Sequence, residues 1–169
     1  MKRQLVLVRH AKSAYPTGVD DHERPLSERG ERDALVAGPV LAKLLPQPDH
    51  TLVSTATRAQ QTWSLVAPAW APPPSHHDEP KIYEAYVGDL MLLVREVDAD
   101  VQRLLLVGHN PGFEMLATVL ASERSDPVAI REMEKKFPTC AIAAFEIDQP
   151  WPELDEGDGR LVAFEVPRG

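Results

Sequence analysis

Arg9-His10 stands directly after the apolar run Leu5-Val6-Leu7-Val8, and the pair has the makings of an anion site. A guanidinium favours an anion, and an imidazole can serve as nucleophile, base or ligand. The arrangement then recurs: Thr51-Leu52-Val53 leads into Ser54 and Arg58, and Leu104-Leu105-Leu106-Val107 leads into Gly108-His109-Asn110-Pro111. In an open parallel sheet, side chains just past the carboxyl ends of the strands project into the crevice where ligands bind. Apolar runs that each deliver a cationic or imidazole side chain to one sheet edge therefore read together as a site.

Arg9-His10-Ala11-Lys12-Ser13 resembles the motif that names the histidine phosphatase superfamily, in the form common among its small SixA-type phosphohistidine phosphatases. The likeness continues through Arg24-Pro25-Leu26-Ser27-Glu28-Arg29-Gly30, Ser54 with Arg58, Tyr83-Glu84-Ala85 and Gly108-His109-Asn110-Pro111, in the family's order. The resemblance implies a metal-independent phosphatase without cofactors that works through a phosphohistidine enzyme intermediate. It implies His10 as the phosphorylated nucleophile, Arg9 and Arg58 as phosphate ligands, His109 as transition-state stabiliser and Glu84 as proton donor. Spacing alone does not order the two histidines.

The same residue types suit phosphoryl transfer on physical grounds. That reaction asks a protein for positioning and charge stabilisation, because the transferred group carries negative charge on its equatorial oxygens. Arginine forks bind phosphate oxygens bidentately and stay charged. His109, if protonated beside a dianion, adds a third positive donor. His10 has to present an unprotonated ring nitrogen, with the proton of the other nitrogen held by an acceptor. A phosphohistidine substrate already has a good leaving group, so Glu84 is less necessary there than for an ester, and a solvated residue at a helix start is its other reading. The Asn110 amide could donate to a phosphate oxygen or cap the helix that follows. Lys12 and Ser13, in the loop after the nucleophile, are further phosphate contacts or merely polar. Ser54 either joins Arg58 at the phosphate or ends its strand and caps the next helix.

Phosphohistidine on a protein is the favoured substrate, because of the Arg-His-Ala-Lys-Ser form of the motif and because the roughly forty residues from Arg58 to the end of the helix expected at 90–97 leave too little chain for a large lid. A small-molecule phosphomonoesterase on the same site is the alternative. A catalytically silent phosphate-binding module is opposed by the presence of a nucleophile it would not need.

The 169 residues, 43% of them hydrophobic, suit a single domain over residues 1–169. A formal net charge of -8 argues against nucleic acid and anionic membranes as partners, though cations focused in a cleft can still bind phosphate. The acidic runs Asp20-Asp21-His22-Glu23, Asp78-Glu79 and Glu153-Leu154-Asp155-Glu156 read as solvated loops. No apolar run has the length of a membrane span or the form of a secretory signal, so a cytoplasmic protein is expected. The lone Cys140 heads an apolar run and reads as a small buried residue. His22, His50, His76 and His77 lie in loop-like surroundings, with no further ligands at metal-binding spacing.

The elements that position such a site follow the order βαβα, which predicts an α/β fold: one three-layer domain, a mainly parallel mixed sheet with helices on both faces, and a C-terminal antiparallel edge hairpin. Strands are expected at residues 5–8, 51–53, 81–83 and 104–107, with the hairpin at 140–147 and 160–166 turning through Glu156-Gly157-Asp158-Gly159. Helices are expected from Ser27 through a kink at Gly38-Pro39, and at residues 55–67, 90–97 and 113–121. The prolines of Ala71-Pro72-Pro73-Pro74 mark an extended connection.

Overall fold

The computed structural model describes residues 2–169. Strands β1 (Arg3–Arg9), β2 (His50–Ser54), β3 (His77–Glu79), β4 (Arg103–Gly108), β5 (Ile142–Ile147) and β6 (Gly159–Glu165) form one sheet in the order β3-β2-β4-β1-β5-β6. The pairs β2/β3, β2/β4 and β1/β4 are parallel, whereas β5 runs antiparallel to both β1 and β6. The helices are α1 (Glu28–Leu44), α2 (Thr57–Val66), α3 (Val87–Arg95), α4 (Gly112–Leu120) and α5 (Pro127–Lys135).

Strand alternation explains the layers. Leu5 and Leu7 of β1 face a core shared with Leu90, Val94, Phe113, Leu116 and Met133. Val6 and Val8 face the opposite core with Ala34, Leu41, Trp63 and Val66. A central strand buried on both faces has to be apolar at every position, which is why β1 reads as an unbroken run. Within α1, Pro39 does not end the helix, and Gly38 brings it against α2: a Cβ there would lie 3.2 Å from the Val66 carbonyl oxygen.

Some boundaries differ from the sequence expectation. Residues 81–83 are not a strand. Pro80 opens a short 3₁₀ turn, Pro80–Ile82, whose Lys81 amide is capped by Glu79, and the edge strand is His77–Glu79 instead. Helix α2 begins at Thr57 rather than residue 55, because Ala56 is still extended. Helix α3 starts three residues earlier than periodicity suggested, where the Asp89 carboxylate accepts from the Tyr86 amide at 3.0 Å and so caps the helix start. Helix α5 was not expected at all. Its signal was present in Asp126-Pro127, where the Asp126 carboxylate accepts from the Ala129 amide at 2.9 Å and proline occupies the first turn. Among the described residues, no helix is long and apolar enough to cross a membrane.

Candidate active site

Strands β1 and β4 are neighbours, with Arg9 opposite Gly108, so their next residues emerge side by side at one sheet edge. The His10 amide donates to the Gly108 carbonyl at 2.9 Å, and the His10 and His109 rings lie 5.2 Å apart, centre to centre. Glycine is required at 108: a Cβ would sit 2.6 Å from both Ile82 Cγ2 and Phe113 Cζ, forcing β4 away from the packing that brings His109 to the edge. Strand β2 ends at Ser54, and the first turn of α2 then carries Arg58 to the same place. Its Nε lies 3.4 Å from His10 Nε2.

The His10 tautomer follows from its neighbours. Nδ1 is 2.7 Å from the Ala11 carbonyl oxygen, which can only accept, so Nδ1 carries the proton and Nε2 presents its lone pair toward Arg58. The Ala11 amide, tied to Thr62 Oγ1 at 3.0 Å, fixes that turn to α2. Burial, followed by the charges of Arg58, Arg9 and Arg24, lowers the His10 pKa to about 4, so the ring is neutral near pH 7.

His109 is anchored from behind. Its Nε2 lies 2.7 Å from Ser54 Oγ, and that hydroxyl also accepts from the Ala56 amide at 3.3 Å. Ser54 is fully buried and reaches no cavity; the reading of it as a phosphate contact gives way to one in which it orients His109. The Ser54 hydroxyl can donate its own proton to Nε2, and in that tautomer the Nδ1 proton of His109 is buried without a partner among the described residues. Burial, then His10 and Arg58, push the His109 pKa down to about 3. His109 is therefore neutral here, and the third positive charge expected of it requires an anion alongside.

Arg9 donates from Nη1 to the Phe137 carbonyl at 2.9 Å, and its Nε is buried without a partner. Of the two readings of Asn110, the one at the start of the following helix is the one seen. Its Nδ2 donates to the same Phe137 carbonyl at 2.9 Å while its Oδ1 accepts from the Glu114 amide at 3.2 Å, so it pins the start of α4 although it borders the cavity. Lys12 and Ser13 do not line the cavity. The Lys12 carbonyl holds Ser27, and the Ser13 hydroxyl is taken up by Arg24.

In front of these groups opens a cavity of about 320 Å³ whose wall includes Arg58, His109, Asp21, Tyr83, Glu84 and Tyr86, with His10 directly behind Arg58 and His109. Glu84 is exposed, and its φ of 57° is the left-handed conformation that a residue with a Cβ adopts at a cost. Asp21 is the residue that sequence reasoning missed, having placed it in a solvated acidic run. Arg58 donates from Nη1 to the Asp21 backbone carbonyl at 2.7 Å and from Nη2 to its carboxylate at 3.2 Å. Arg24 Nη1 reaches the other carboxylate oxygen at 3.0 Å, and the Tyr83 hydroxyl donates to the first. Tyr83 and both guanidiniums hold this carboxyl below its usual range, while burial and Asp21 raise the Tyr83 pKa to about 12. No spacing signal marks Asp21, because Arg58 and Tyr83 are 37 and 62 residues away and Arg24, three residues on, is one more charge in a charged run.

The remaining histidines have structural neighbours. His22 bonds Thr55 at 2.9 Å and packs edge-on to Tyr83, His76 pairs with Asp78, and His50 lies against His77. Cys140 is fully buried at the head of β5, as its sequence setting suggested.

Comparison with known proteins agrees with this geometry. The model of the histidine phosphatase superfamily (branch 1) matches residues 5–121. The chain is 43% identical to an uncharacterised protein of Mycobacterium tuberculosis over 162 residues, 95% of this chain and 100% of that protein. Among solved structures it is similar to a candidate phosphohistidine phosphatase SixA from Nakamurella multipartitia, with a TM-score of 0.85 and 29% identity over 99% of this chain and 97% of that one. A candidate SixA from Agrobacterium tumefaciens gives a TM-score of 0.81 and 27% identity over 98% of each chain. With these likenesses running the length of the sheet and its site edge, the chain belongs to the histidine phosphatase superfamily, in its SixA-type branch.

Proposed function

We propose that this phosphatase removes the phosphoryl group from phosphohistidine on a protein, through a phosphohistidine intermediate on His10 and without a metal or other cofactor. The observation that carries the reading is the unprotonated Nε2 of a neutral His10, set among the Arg58 guanidinium, the His109 ring and Arg9. Two buried nitrogens of this cluster, Arg9 Nε and His109 Nδ1, have no partner among the described residues, and a buried donor without a partner calls for a ligand that accepts. A phosphoryl dianion offers the oxygens for both.

In the first step the His10 Nε2 lone pair forms the bond to phosphorus while the bond from phosphorus to the substrate ring nitrogen breaks. The electron pair of that bond returns to the ring, which departs neutral if its far nitrogen is protonated. In the second step water attacks phosphorus, His10 leaves with its electron pair, and inorganic phosphate is released. Glu84 stands where it can donate a proton to a leaving group that needs one or take one from the attacking water. The dianion raises the proton affinity of His109 while bound, so the charge on that ring appears when it is useful.

Protein incubated with a phosphodonor should gain one acid-labile, base-stable phosphoryl group on His10 by intact mass and peptide mapping, and His10→Ala should gain none. Label on any other residue overturns the assignment. Rates compared across a phosphohistidine protein, a phosphohistidine peptide and a panel of sugar and nucleotide monophosphates then decide the substrate. A hundredfold preference for the monophosphates would replace the present reading with that of a metabolite phosphatase. Activity should persist in excess chelator; its loss, with rescue by a divalent ion, would refute the metal-free mechanism.

A further inference from the structure

The cavity has two unlike ends. Its inner end holds the donors for a phosphoryl group, but the part a leaving group would occupy is walled by the carboxylates of Asp21 and Glu84 and by the rings of Tyr83 and Tyr86. Asp21 does not swing freely there. Its carboxylate is fixed by Arg58, Arg24 and Tyr83, and it stays ionised under the same influences. Glu84 lines the same wall, on a left-handed backbone.

Charge bookkeeping separates the two ends. A phosphoryl dianion bound at the inner end takes up the charge of Arg9, Arg58 and the His109 ring that it protonates. The charges left to face the leaving group are Asp21 and Glu84 against Arg24, whose guanidinium is stacked 3.8 Å over the exposed Tyr15 ring and bonded to the Ala14 carbonyl. The leaving-group end is then net negative and flanked by aromatic faces, which attract cations as well. Asp21 and Glu84 are exposed, so their charges act through solvent, but at a few ångströms they are well within the screening distance and still discriminate.

We propose that Asp21 is a specificity-determining residue that sorts substrates by the charge of the leaving group, favouring N-phosphoryl compounds with a protonated nitrogen group and rejecting phosphoesters that bear a second anion. The inference deepens the phosphohistidine reading and, for its preferred substrate, rests on it. The far ring nitrogen of a bound phosphohistidine keeps its proton beside the Asp21 carboxylate, so the ring leaves neutral without a proton being delivered to the nitrogen that departs. The same carboxylate repels the second negative group of a phosphoglycerate.

The test compares kcat/KM for wild type, Asp21→Asn and Asp21→Glu on a phosphohistidine peptide, on glycerol phosphate, whose leaving alcohol is neutral, and on 3-phosphoglycerate, whose leaving alcohol carries a carboxylate. Asp21→Asn should lower the ratio of peptide to phosphoglycerate rates by roughly tenfold or more and raise that of phosphoglycerate to glycerol phosphate by about tenfold. Asp21→Glu, which keeps the charge, should restore both ratios to within about threefold of wild type. A variant that changes all three rates by one common factor shows a structural role for Asp21 and overturns the inference. If wild type hydrolyses the esters but not the peptide, the phosphohistidine reading fails on its own, and the phosphoglycerate to glycerol phosphate ratio still decides the charge rule. Wild type inactive on all three would overturn both.

Discussion

His10 and His109 are neutral for the same reason, burial beside guanidinium groups, yet their hydrogen bonds give them opposite faces. His10 spends its proton on the Ala11 carbonyl and shows a lone pair; His109 receives the Ser54 hydroxyl and shows an unpartnered N–H. The depressed pKa of His10 makes a kinetic prediction. Protonation of the nucleophile stops attack, so the acid limb of kcat/KM should fall near pH 4 instead of near 6.5 where an ordinary histidine titrates, and a limb at 6 or above would contradict the burial argument. Ser54→Ala should release the His109 ring and lower kcat by roughly tenfold with little change in KM, a split that a mere loss of stability would not produce. Arg9, His10, Arg58 and His109 were legible as a group because each follows an apolar run in the chain. Asp21 was not, since an aspartate in a run of charged residues looks the same whether it faces water or a guanidinium.

At the level of elements, the loop after His10 is held by the start of α1. The Ser27 side chain caps that helix by accepting from the Gly30 amide at 3.1 Å, while its backbone N–H donates to the Lys12 carbonyl at 2.9 Å. A Cβ on residue 30 would meet the Lys12 oxygen at 2.0 Å. Gly30→Ala should therefore push the loop outward, costing about 1–3 kcal/mol in denaturant unfolding and lowering turnover at temperatures where the variant is fully folded. Glu84 makes the opposite trade. Glu84→Gly relieves a left-handed backbone and should raise stability by about 1 kcal/mol while slowing hydrolysis of substrates with poor leaving groups; a variant that is no more stable would show that the conformation carries no cost. The principal strands were legible from their apolar runs, as was the cap of α1. Residues 81–83 were not, because an apolar residue between polar ones alternates like a strand, and the deciding influence is Pro80, which starts a turn.

Across the whole molecule, a chain of net charge -8 concentrates Arg9, Arg24 and Arg58 around one sheet edge, and the stability of the fold registers that cluster. The unfolded chain protonates His10 and His109 as pH falls through 6.5, whereas the folded protein resists until about 4 and about 3. The unfolded state then binds more protons, so stability should fall by a few kcal/mol as pH is lowered from 7 toward 4, and His109→Gln should flatten the slope in pH-dependent unfolding. An unchanged slope would mean that the two rings titrate normally. The sequence by itself determined the strand ends that carry the catalytic candidates, the α/β class and the family, because each depends on residues adjacent in the chain: an apolar run buries a strand, and whatever follows it emerges at the edge. Only the tertiary structure decided which groups face one another there. It turned Ser54 toward His109 and brought Asp21 onto Arg58 and Tyr83, since hydrogen bonds between residues 37 to 62 positions apart are set by the packing of helices on the sheet and leave no local pattern.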